Sequence, residues 1–180
     1  DFSIMGAALH KSLFPTETSK VALLNIGSEE LKGSTVIKNT YQELSKIKNP
    51  LFDFKGYIEG NHIMDGDADV IITDGFTGNV ALKTAEGTAN FISKNLKKSL
   101  SKLSMLLSYY SLKKFKSKLD PRKYNGAIFL GLESPVVKSH GSTDSVGFAY
   151  SIEMCNKIVK GNLIEKIKSH LITVDPQNKQ

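Results

Sequence analysis

At 180 residues the chain is long enough to bury one sizeable core, and its 40% apolar and 23% charged residues are ordinary for a globular protein. A single cysteine, Cys155, excludes an internal disulfide and a cysteine-based metal cluster and fits a reducing, cytosolic compartment, and the four histidines are scattered. The formal charge of +6 is local: residues 94–123 carry ten basic residues against Asp120, a segment of +9, while the remainder carries 14 basic and 17 acidic residues.

Phe2, Met5, Leu9 and Leu13 are spaced as one face of a helix, so the sequence is expected to begin inside or at the edge of a helix, as a fragment or processed chain would. No signal-peptide pattern precedes it, and no apolar run approaches the ~20 residues needed to cross a bilayer. Val21 to Gly27 reads as a buried strand. Ser34 can cap a helix with Ile37, Tyr41, Leu44 and Ile47 on its apolar face, stopped by Asn49-Pro50. Phe52 to Ile58 is a second strand, weakened by Gly56, and the acidic stretch from Glu59 to Asp69 is a loop or short helix. Ala68 to Thr73 is a third strand. The polar stretch Thr73-Asp74-Gly75-Phe76-Thr77-Gly78-Asn79 separates it from a helix expected to start near Val80 and to run toward Lys98.

The continuation from Ser99 to Leu119 is a basic amphipathic insertion with Leu100, Leu103, Leu107 and Tyr110 as its stripe. Lys102, Lys113, Lys114, Lys116 and Lys118 charge it, and Asp120-Pro121 ends it. A membrane-surface or partner contact and a helical hairpin packed on itself or on a second copy are both open readings. Tyr109, Tyr110 and Phe115 are accompanied by no nucleic-acid reader motif. Ala127 to Leu132 is a strand, Lys138 to Asp144 a second polar loop, and Ser145 to about Leu171 a closing helix, with a frayed tail past Pro176. Strands alternating with long helices predict a single α/β domain over residues 1–180 with a largely parallel sheet. Ligands then belong at the C-terminal strand ends, in the loops after Gly27, Thr73 and Val137.

Two of these loops carry candidate chemistry. Gly75 and Gly78 let a ligand approach the backbone, and the helix start with Thr77 and Asn79 offers donors to a phosphate or to an oxyanion forming on a carbonyl. The competing reading is a plain turn in which Asp74 bonds its own backbone. In the second loop, Lys138 and His140 lie two apart in extended chain and so share a side. Lys138 can neutralise an anion and His140 can move a proton. Here the competing reading is a solvated lysine beside a helix cap made by Ser142 or Asp144. Asn25 and Glu29, around Gly27, are weaker candidates.

Three stretches taken together resemble a known family. They are Leu23-Leu24-Asn25-Ile26-Gly27 with Glu29; Ala68-Asp69-Val70 through Thr73-Asp74-Gly75-Phe76-Thr77-Gly78-Asn79 to Leu82-Lys83-Thr84 and Glu86-Gly87; and Gly126-Ala127 through Gly131-Leu132, Pro135-Val136-Val137-Lys138 and His140-Gly141-Ser142 with Asp144. In this order and spacing the chain is similar to the phosphate acyltransferases of bacterial phospholipid synthesis, over the C-terminal half or so of their usual length. The resemblance implies a three-layer α/β/α sandwich like those of isopropylmalate dehydrogenases and phosphate acetyltransferases. It implies transfer of a fatty acyl group from acyl carrier protein to inorganic phosphate in lipid metabolism, with no cofactor and no metal. It also implies a cytoplasmic homodimer.

On that resemblance Thr77, Gly78 and Asn79 bind the anion or carbonyl, with Gly75 beside them. Lys138 and His140 serve phosphate charge and proton transfer, and Asn25 and Asp74 line or brace the cleft. Ser139 and Gly141 lie in a stretch that looks like the Ser-Arg-Gly segment of phosphate acetyltransferases, with His140 in place of Arg. The acidic carrier protein, or an anionic membrane touched peripherally, would meet the +9 segment through Leu103, Leu107, Lys113, Lys114, Lys116 and Lys118. The alternative is a catalytically inactive fragment that dimerises or binds membrane or a partner through residues 99–119. A decarboxylating dehydrogenase of similar fold would need clustered aspartates and an adenine loop, and neither pattern is found.

Overall fold

The computed structural model describes residues 1–15, 18–101, 108–118, 122, 126–141 and 143–174, without the side chains of 116–118 and 172–174. It divides into two units, Asp1–Thr73 with Asn125–Gln180, and Asp74–Tyr124.

The first unit is built on β1 (Ser19–Asn25), whose run of Val21, Ala22, Leu23 and Leu24 is buried on both faces, as the central strand of a parallel sheet should be. β2 (Phe52–Glu59) and β3 (Val70–Ile72) flank it, and both pairings are parallel. Val21 stands opposite Phe54 and Val70, and Leu23 opposite Tyr57 and Ile72. Between them Lys55 and Gly56 face Ala22 alone, a bulge that returns Tyr57 to the same face as Phe54.

That face carries α1 (Phe2–Leu13) and α2 (Thr35–Lys46). Ser34 caps α2 by accepting the Ile37 N–H at 3.4 Å, and Tyr41 packs its ring 5.5 Å from Phe54 and 4.6 Å from Tyr57. α1 buries Ile4, Ala7 and Ala8, and the small Ala7 and Ala8, with Gly6 against Val70 and Ile72, bring its backbone close to β1 and β3. Past β2 comes a 3-10 turn, Gly60–His62, within the stretch expected to be a loop or short helix.

Later in the chain β4 (Ala127–Phe129) and β5 (Val136–Lys138) form a separate antiparallel pair, Ala127 opposite Lys138. The loop after Val137 therefore does not end a strand of the parallel sheet, contrary to expectation. The reason lies in the connection: residues 130–135 are too few for the crossover of a dozen or more that parallel strands require. The closing helix is two, α5 (Ser145–Lys160) and α6 (Leu163–Val174). Gly161 makes the corner against α1, where a β-carbon would sit 2.7 Å from that of Ser12. Ile158, Leu163 and Ile167 join Ile4, Val21, Leu23 and Phe52 in one core. Each such side chain contributes about 1.5–3 kcal/mol by leaving water. The chain is thus mixed α/β, a parallel three-stranded sheet flanked by helices, in keeping with a three-layer α/β/α sandwich.

In the second unit α3 runs over Gly75–Ser99, five residues earlier than the start expected near Val80. Gly75 and Gly78 are helical and not loop residues with positive φ. At Leu100 the backbone turns extended (φ −83, ψ 125), so the helix does not continue unbroken into residues 99–119. α4 occupies Tyr109–Lys118. Leu103, Leu107 and Lys102 of the expected amphipathic segment lie outside the described residues, as do the side chains of Lys116 and Lys118 and the tail past Pro176. No helix among the described residues is long and apolar enough to cross a membrane.

Candidate functional site

Asn25 ends β1 and is 7% exposed. Its side-chain amide donates to the carbonyls of Gly27, at 3.1 Å, and Lys32, at 3.2 Å. Both bonds close the β1–α2 loop on itself, so the residue braces that loop. Gly33 completes the curl at φ +90, where a β-carbon would overlap the Asn25 side-chain oxygen.

At the start of α3, Asp74 is the cap. Its carboxylate accepts the Thr77 N–H at 2.8 Å and the Thr77 hydroxyl at 2.5 Å, and the Gly78 N–H goes to its carbonyl at 2.9 Å. The Thr77 hydroxyl first, and then the Thr77 N–H, hold this carboxyl below its ordinary value against the opposing effect of desolvation. The helix start therefore already holds an anion of its own, and the turn-forming reading of Asp74 describes it. Thr77 and Gly78 have their amides committed within the chain. Asn79 is exposed one turn on, and a side chain added at Gly75 would meet open space.

The second loop leaves β5 at Lys138. Lys138 and His140 are exposed and Ser139, between them, is half-buried, the alternation expected of extended chain. The His140 carbonyl accepts the Thr143 N–H at 3.1 Å, and Asp144 caps α5 by accepting the Gly147 N–H at 2.9 Å. Asp144 is thus the capping residue of the two considered, and Ser142 lies outside the described residues. A β-carbon at Gly141 would meet nothing within 4 Å. Neither Gly75 nor Gly141 is required by packing, which leaves room beside both loops. Lys138, Ser139, His140 and Gly141 are held together with Asn25 in the first unit; Asp74, Gly75, Thr77, Gly78 and Asn79 belong to the second.

Two features were not read from the sequence. Ser151, 5% exposed on α5, donates to the Ser139 hydroxyl at 3.3 Å. His62, Asp65 and Asp67 bring their ligand-type atoms within 4.8 Å of one another on the surface, although the histidines are scattered in sequence. His62 bonds Asp65 at 2.7 Å, and that hydrogen bond raises the imidazole above its ordinary value. The spacing of three between His62 and Asp65 around a single helical turn was the available signal. Two cavities lie elsewhere. One of 680 Å³ runs between α2 and β2, lined by Tyr41, Leu44, Ile47, Phe52 and Phe54. One of 290 Å³ is lined by Ser28, Lys55, Glu59, His62 and Asp67. None of the loop residues above lines either.

The sequence profile of the fatty acid synthesis protein family matches residues 1–166. A phosphate acyltransferase of Pelagibacter ubique (strain HTCC1062) is 62% identical over 95% of this chain and 53% of its own length. Phosphate acyltransferases of Rhodopseudomonas palustris (strain HaA2) and Agrobacterium fabrum are 45% and 39% identical, over 94% and 95% of the chain and 49% and 50% of their own lengths. The chain belongs to the fatty acid synthesis protein family, in which these phosphate acyltransferases are its relatives. It spans about half the length of the curated relatives it matches.

Proposed function

We propose that the chain supplies the C-terminal part of a phosphate acyltransferase that moves a fatty acyl group from acyl carrier protein to inorganic phosphate. What carries the reading is the identity to proteins of that name along nearly the whole chain. In the reaction a phosphate oxygen attacks the thioester carbonyl, a tetrahedral oxyanion forms, and it collapses to acyl phosphate and the carrier's thiolate, which takes a proton. The catalyst must hold a dianion against a carbonyl, stabilise the oxyanion and protonate sulfur.

The two loops suit different parts of this task. Of the two loops, the one that follows β5 carries a cationic side chain, so the dianion is assigned to it. Lys138 supplies positive charge, the Gly141 backbone allows close approach, and His140 delivers the proton. The start of α3 takes the neutral carbonyl, with Asn79 as donor to the oxyanion and Asp74 and Thr77 as its brace. Asn25 holds the neighbouring loop. The enzyme works without cofactor or metal, as a cytoplasmic homodimer, with residues 99–119 meeting a second copy, the acidic carrier protein or an anionic membrane.

The test is acyl-phosphate formation, measured on this chain and on the chain joined to the remaining half of the family length. The joined protein is expected to be active and the 180-residue chain alone inactive. In the joined protein Asn79→Ala is expected to lower turnover by ~10²-fold, the effect of losing one oxyanion donor. An unchanged rate removes Asn79 from the reaction, and activity of the short chain alone means the site is misplaced.

A further inference from the structure

Ser151 faces the packed side of α5 with Gly147 and Ile158. A β-carbon at Gly126 would touch Val137 at 3.0 Å, Met154 at 3.4 Å and the Ser151 hydroxyl at 3.6 Å. Alanine would fill nearly the same volume there and spare the cost of burying a hydroxyl. Among the described residues, the hydroxyl reaches two acceptors. One is the Gly147 carbonyl at 3.4 Å, the ordinary back-bond of a helical serine, available in any helix. The other is the Ser139 hydroxyl at 3.3 Å, and that bond leaves the helix for the middle of the loop carrying Lys138 and His140. Ser139 is half-buried while its two neighbours are exposed, so it is the inward-turned residue of the three.

We infer that Ser151 and Ser139 form a positioning pair: the buried hydroxyl pins the inward side chain of the loop, and Lys138 and His140 are thereby presented outward to one phosphate-type anion. The inference rests on the phosphate reading of this loop. Because α5 starts at the end of the same loop, under the Asp144 cap, the pair and the cap fix both ends of residues 139–144. Extended chain fixed at Ser139 has little freedom left but to place Lys138 and His140 on the other side.

The experiment titrates inorganic phosphate into the 180-residue chain and follows the ring signals of His140 by NMR. In the unsubstituted chain, phosphate is expected to shift these signals in a saturable, dose-dependent way, because an anion held by this loop lies beside the ring. Ser151→Ala is expected to weaken the response about five-fold, the worth of one hydrogen bond of ordinary strength, with Ser151→Thr recovering most of it. Ser139→Ala is expected to do the same, and the double variant to be no weaker than either single one, as coupled residues require. An unchanged response in Ser151→Ala, or effects that add in the double variant, overturns the positioning role. If Ser151→Ala fails to fold, Ser139→Ala decides, and its unchanged phosphate response overturns the inference. No response in the unsubstituted chain overturns the phosphate reading of the loop itself, and the inference with it.

Discussion

Asn25 shows how a single side chain can be spent on its own loop. Its amide holds Gly27 and Lys32, and the curl closes only because Gly33 adopts φ +90 beside the Asn25 oxygen. Gly66 has a similar φ of +84, but a β-carbon there would meet nothing within 4 Å. The two therefore separate backbone strain from steric overlap. Gly66→Ala should cost about 1 kcal/mol from the left-handed backbone alone, and Gly33→Ala roughly 2–3 kcal/mol, since the Asn25 brace must also shift. Denaturant unfolding of the two variants checks this, and equal costs would mean that the Asn25 contact does not hold the loop. The sequence marked Asn25 through its place at a strand end. It did not say that Lys32 folds back within reach, because that depends on a turn spread over seven residues with no fixed spacing. Ser151 was missed for a related reason: one serine on a helix's packed face looks like any small core residue until its partner twelve positions earlier is seen.

At the scale of elements, both helices that follow the candidate loops begin with an aspartate bonding the amide three residues on, Asp74 to Thr77 and Asp144 to Gly147. The start of α3 was misread because two glycines within four residues suggest a loop. Each costs a helix about 1 kcal/mol relative to alanine, and the capped first turn absorbs that. The antiparallel β4–β5 pairing was not read from the sequence, although its short connection excludes a parallel crossover, while the parallel pairing of β1 was legible from its unbroken apolar run. Asp74 gives this scale its test. Its folded-state value is lowered, so its contribution to the start of α3 is fully present above the ordinary carboxylate range. The contribution is lost as pH falls through the folded value, which lies below that of the unfolded chain. Amide exchange at Thr77 should therefore stay slow down to pH values beneath the ordinary carboxylate range and then quicken. Asp74→Asn should keep the protection and remove the pH dependence, whereas Asp74→Ala should lose the protection at every pH. A carboxyl midpoint at or above its ordinary 3.8 would contradict the cap as described.

At the scale of the whole molecule, large apolar side chains remain uncovered along two helices. Phe76, Val80, Phe91 and Ile92 are exposed on α3, and Phe148, Ile152 and Val159 on α5. Exposed apolar side chains of this kind mark faces suited to contact with a partner surface. The +9 segment differs in kind. α4 is ten residues, roughly 15 Å, so its described length is suited to lying along a surface and not to crossing one. Leu112 is half-buried while Tyr109, Tyr110 and Phe115 are exposed, and Lys113 sits 6.0 Å from the Tyr109 ring centre, an aromatic and cationic mixture that suits a lipid headgroup layer. Each lysine near an anionic surface is worth ~1 kcal/mol, so the four at 113, 114, 116 and 118 set an upper limit of roughly 10³-fold in affinity. Co-sedimentation with anionic liposomes should accordingly fall at least ~10-fold when all four are replaced by Gln, and it should fall with added salt, because exposed charges are screened beyond ~8 Å at physiological ionic strength. Neutral liposomes should bind both forms alike, and thermal unfolding should be unchanged, since Lys113 and Lys114 are exposed. Binding that is absent from the outset, or indifferent to charge and salt, would leave residues 99–119 a role in packing and dimer contact alone.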